Sequence, residues 1–149
     1  KFFRMKWMNL IEMLDKIKEQ LPEGVTVDFV TPSHKNPFTA LKDNDSITFT
    51  SDKGHPIPVK WPEFQQVLSL LLNHPEGVFA GDAQNSDEGV GKGNCKLDTI
   101  EGHISYYVYG KAEGEKPMTR RHTYIMPVLI QARIVTYQRV SGKTKFNLI

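Results

Sequence analysis

Residues 116 to 149 carry seven Lys and Arg and no Asp or Glu, whereas residues 1 to 115 hold 12 Lys and Arg against 17 acids. A block of uncompensated positive charge is what an anionic partner requires, and nucleic acid is the first such partner to consider. Inside that block, Thr119-Arg120-Arg121-His122-Thr123-Tyr124 concentrates hydrogen-bond donors, and Arg139, Lys143 and Lys145 add further cations. Arginine can grip guanine through two parallel hydrogen bonds, while lysine and threonine mostly hold phosphate oxygens. The same charge has another use, a solvated face that pairs with the acidic remainder of its own chain.

Other chemistry is thinner. Gly89-Val90-Gly91-Lys92-Gly93-Asn94 has the glycine content of a phosphate-cradling loop. Such a loop needs Lys followed by Ser or Thr at the head of a helix, and Lys92 is followed by Gly93. His34, His55, His74, His103 and His122 show none of the i, i+4 spacing of a zinc site, and Cys95 alone cannot build a structural one. No acid two residues before a lysine falls on a convincing strand, as a metal-dependent nuclease wants, and Glu113 and Glu115 fall in a turn. No nucleophile lies beside a base in sequence. These residues assign no catalytic group, no metal and no cofactor.

The elements that must position the cations begin with a helix. Phe3, Trp7, Leu10, Leu14, Ile17 and Leu21 alternate spacings of four and three and share one stripe, which Pro22-Glu23-Gly24 ends. The stripe predicts packing into the core, with pairing of two copies through residues 3–21 as the alternative. Val25, Val27 and Phe29 alternate as a strand, and residues 31–45, with two Pro and two Asn, read as a loop. Residues 46–60 read as a hairpin whose second strand, bearing Pro56 and Pro58, must lie at an edge. Trp61-Pro62-Glu63 opens a second helix carrying Phe64, Val67, Leu68, Leu71 and Leu72 on one face, closed by Asn73-His74-Pro75.

Residues 77–96 are rich in Gly, Asn and Asp and predict a mobile loop. Residues 97–135 fit two periods at once: Ile125, Val128, Leu129 and Ala132 suit a helix, and Tyr124, Met126, Val128 and Ile130 suit a strand. Residues 134–149 form a hairpin about Ser141-Gly142-Lys143 by either account.

At 149 residues, 39% hydrophobic and 24% charged, the chain has the composition of one globular α+β domain over 1–149. No run reaches the roughly eighteen apolar residues of a membrane helix, and the single cysteine fits a reducing, cytoplasmic compartment. Taken as helix, turn, helix and hairpin, residues 97–149 resemble winged helix-turn-helix DNA-binding modules. The resemblance is carried by residues 119–124 at the head of a helix with Ile125, Val128, Leu129 and Ala132 beneath, followed by the basic wing Arg139, Lys143 and Lys145. It implies a second helix entering the major groove of duplex DNA with its leading residues at base edges, although Pro127 is out of place in such a helix. If residues 104–149 are strands instead, the segment is β-rich and Tyr106, Tyr107 and Tyr109 could stack single-stranded bases. The expected function is a nucleic-acid-binding module without catalytic activity. The alternative is a non-enzymatic protein or small-ligand interaction domain, homodimeric through its first helix.

Overall fold

The computed structural model describes residues 9–30, 37–44 and 46–149 of the chain. Helix α1, Leu10–Gln20, starts where the Asn9 side chain accepts the Glu12 amide hydrogen at 2.8 Å, satisfying one of the amides a helix start leaves unpaired. Met13, Ile17 and Leu21 are fully buried and Leu10 and Leu14 half-buried, so the stripe faces the chain's own core. Met13, absent from the expected stripe, is fully buried while Leu14 is only half-buried; Phe3 and Trp7 lie outside the described residues.

Strands β1 (Thr26–Val30), β2 (Pro37–Asp43), β3 (Ser46–Ser51) and β4 (Pro56–Lys60) form an antiparallel sheet in the order β1-β2-β3-β4. The prolines of β4 sit on its outer edge, where no partner needs their missing donors. The expected loop over 31–45 is corrected here: it contains β2. Phe38 and Ala40 turn inward at a period of two, Phe38 opposite Phe29 and Ala40 opposite Phe49, a signal that the surrounding Pro and Asn obscured.

Helix α2, Trp61–Asn73, carries Pro62 in its first turn, and the Glu63 carboxylate accepts the Lys60 amide hydrogen at 2.8 Å. Strand β5, Val78–Phe79, follows, then residues 80–99, helix α3 (Ile100–Tyr107), helix α4 (Arg121–Gln131) and strands β6 (Val135–Val140) and β7 (Lys143–Leu148). These three strands form a second antiparallel sheet in the order β5-β7-β6. The ambiguity over 97–135 is therefore resolved as two helices, and the β-rich alternative is set aside.

The premise for a mobile 77–96 also changes. That segment contains β5, buries Val78, Ala83, Val90 and Cys95, and is tied by backbone bonds from Asp82 to Asn94, Val90 to Glu115 and Gly91 to Cys95, each 2.9 Å. Side chains of α1, both sheets, α2, α3 and α4 join one core cluster. Among the described residues no helix is long and apolar enough to cross a membrane.

Candidate nucleic-acid interface

Of the cations expected to meet an anionic partner, Arg120, Arg139 and Lys143 are exposed and Lys145 is half-buried. Arg121 points the other way. Its side chain is 5% exposed and its Nη1 lies 3.5 Å from the fully buried Glu63 carboxylate. The same nitrogen donates to the Tyr109 hydroxyl at 3.1 Å and to the Pro58 carbonyl at 3.2 Å, while Nε donates to the Thr119 carbonyl at 3.0 Å. Tyr109 in turn donates to Glu63 at 2.5 Å. A buried arginine committed to the buried Glu63 carboxylate and three further acceptors is a structural cation joining β4, α2 and α4, not a phosphate contact.

Tyr124 is likewise core. Its ring stacks on Phe49 with centroids 5.5 Å apart and meets Phe38 edge-on at 5.1 Å, so its place in the expected interface is corrected. Tyr124 through Leu129 are all buried because α4 is covered by the first sheet, α1 and the second sheet together. Pro127 does lie inside this helix, where it removes one amide from the ladder. What α4 presents outward is its leading end, with half-buried His122 and Thr123 next to exposed Arg120, and half-buried Thr119 just before it.

That end is held from a distance. Arg120 adopts a left-handed conformation, φ 63°, and supplies no side-chain cap. Glu101 on α3, fully buried, supplies it instead: its two carboxylate oxygens accept the amide hydrogens of Arg121 at 3.3 Å and His122 at 2.9 Å. The same carboxylate pairs with Nδ1 of the His122 ring. Because Glu101 is the acceptor for both amides, the ring nitrogen facing it acts as a donor, and Nε2 is left for other company.

The wing is a tight two-residue turn in which Ser141 and Gly142 both take positive φ, 51° and 79°. Arg139 lies along it, donating to Thr144 Oγ1 at 2.5 Å and to the Gly142 carbonyl at 2.6 Å, which fixes its charge at the wing tip. Lys145 sits over the Phe79 ring at 5.6 Å. Between the wing, residues 79–99 and His122 lies a cleft of about 700 Å³. The Ala80 amide donates to the Thr144 carbonyl at 3.1 Å and ties one wall to the other. The opposite side depends on Gly81, where a Cβ would fall 2.5 Å from Thr99 Oγ1. Lys96, His122, Arg139 and Lys143 reach this cleft, as do Asp82 and Asp98.

Sequence reasoning missed Glu63, Glu101 and Tyr109, whose roles depend on partners far along the chain, and Lys96 and Phe79, which the fold brings to the wing. Cys95 is buried and its thiol is pushed up to about 11, first by burial and then by the charges of Glu101 and Asp82, so it is a poor nucleophile. Among the described residues no group of three or more His, Cys, Asp or Glu is placed to hold a metal ion. Comparison with protein-family models, curated proteins and solved structures finds no match to this chain.

Proposed function

We propose that the chain is a non-catalytic nucleic-acid-binding module of winged helix-turn-helix type that grips the backbone of duplex DNA. The observation that carries the reading is the order of elements in and before the basic segment: α3, a connection, α4 and the β6–β7 hairpin, the order on which the resemblance rests. Support also comes from charge, since Lys116, Arg120, Arg133, Arg139 and Lys143 are exposed in a stretch without an acid. The burial of α4 restricts how such a module would work. Its length cannot enter a groove, so binding falls to the leading end, Thr119, Arg120 and His122, and to the wing, Arg139, Lys143 and Lys145. Interactions of that kind position a protein on phosphates and read little sequence. Self-association through residues 3–21 has less to draw on, because Met13, Ile17 and Leu21 are already covered.

The test is anisotropy of labelled duplex DNA of arbitrary sequence across a salt series. Replacing Arg120, Arg139 and Lys143 with Ala together should weaken binding and flatten the log–log salt slope by about one unit for each phosphate no longer neutralised. A triple variant that binds with the wild-type affinity and slope overturns the proposal.

A further inference from the structure

The cleft beside the wing has the size and lining of a ligand site. Its volume of about 700 Å³ falls within the range of pockets that enclose small molecules. Phe79 and Val140 give it apolar wall against which a base can rest, and Lys96, Arg139 and Lys143 bring positive charge from two separate segments. His122 adds a ring held in place by buried Glu101, with Nδ1 occupied as a donor.

We propose that this cleft binds the phosphate of a nucleotide, free or within a strand, and that the protonated His122 ring donates to that phosphate through Nε2. The inference rests on the nucleic-acid reading only through the shared Arg139 and Lys143. With Nδ1 committed to Glu101, a neutral ring turns a lone pair outward at Nε2, which repels a phosphate oxygen. A protonated ring turns an N–H outward, which binds it with charge assistance. Glu101 from α3 holds the ring, and the charged groups that line the cleft with it are Asp82, Lys96 and Asp98 from residues 80–99 and Arg139 and Lys143 from the wing. Asp82, whose carboxylate accepts the Asn85 amide hydrogen at 3.0 Å, keeps its charge, so Asp82 and Asp98 both oppose an anion there and the cations must outweigh them. Binding should therefore be tighter where the ring carries a proton than where it is neutral.

The experiment is calorimetric titration of the full chain with the dinucleotide TpT, whose single phosphodiester charge is constant, and with dTMP, at about pH 5.5 and about pH 8. Wild type should bind TpT about tenfold more tightly at the lower pH. His122→Gln should lose that difference, and Lys143→Ala should weaken binding at both pH values alike. Binding of dTMP as well as TpT identifies a free nucleotide as a ligand, and binding of TpT alone identifies the strand. Absence of both, or wild-type binding with no gain at low pH, overturns the proposal, and the second result decides the matter even if His122→Gln fails to fold. Duplex binding that depends on the wing but not on pH or His122 ends this inference and leaves the DNA reading standing. TpT binding without duplex binding does the reverse.

Discussion

At Glu63 burial and charge oppose each other. Burial pushes its carboxyl above the ordinary carboxylate range, and hydrogen bonds from Tyr109 and the Lys60 amide, with the charge of Arg121, pull it back. The folded state thus holds a proton on Glu63 longer than the unfolded chain does, so this group costs stability as pH rises from the ordinary carboxylate range through the raised value. Removing the guanidinium widens that window. Arg121→Met should destabilise by about 3–5 kcal/mol near neutral pH, because it strands a buried carboxylate, and by less as pH falls through the raised value, because a protonated Glu63 needs no cation. Urea unfolding of wild type and variant across a series from neutral to acidic pH checks this; a penalty that does not change over the series would mean that Glu63 is not the group left uncompensated. Glu63→Gln/Arg121→Met should recover much of the loss, since the pair is removed together. The Tyr109 hydroxyl, pushed up to about 12 by burial and then by Glu63, stays a donor throughout.

At the scale of elements, α1 shows most directly how a pattern becomes energy. Ile17 is fully buried and Ile11, on the opposite face, is 70% exposed. Ile17→Ala should cost about 2–5 kcal/mol, the lost transfer of the side chain plus the cavity it leaves, independent of protein concentration. Ile11→Ala should stay within about 0.5 kcal/mol. Thermal melts over a concentration series test both, and a concentration-dependent loss in Ile17→Ala would mean that a second copy covers the stripe. Elements with one buried and one wet face were legible in the sequence in this way: α1, β1, the β3–β4 hairpin and α2. The wing was legible from its turn chemistry, and Arg139 and Lys143 with it. Helix α4 was not, because burial from Tyr124 through Leu129 removes the contrast between faces that a period requires. Arg121 and Tyr124 were misplaced for a related reason: Glu63 lies 58 residues from Arg121, and nothing local marks Phe38 and Phe49 as the partners of Tyr124.

For the whole molecule, the basic C-terminal segment and the acidic remainder contribute buried side chains to one core cluster. The core runs from Ile17 on α1 through Phe49 on the first sheet, Leu68 on α2 and Tyr124 on α4 to Phe146 on the second sheet. Tyr124 is the bridge, since its ring lies on Phe38 and Phe49 while its helix packs on the second sheet. A core shared this widely should unfold in one step, so that Trp fluorescence and far-ultraviolet circular dichroism trace coincident transitions in urea. Tyr124→Ala should cost about 3–5 kcal/mol, as expected for loss of a buried aromatic ring. If the sheets are one cooperative unit, the amides of β3 and β7 should lose hydrogen-exchange protection in this variant by the same amount, although β7 pairs with β5 and β6 and not with the first sheet among the described residues. If β7 keeps its protection while β3 loses it, the two sheets are separate units and the basic wing stands on a body of its own. In that case a chain beginning at Trp61 should fold alone and keep whatever anion binding the wing provides. Under the single-core account the same truncation exposes the buried face of α4 and does not fold.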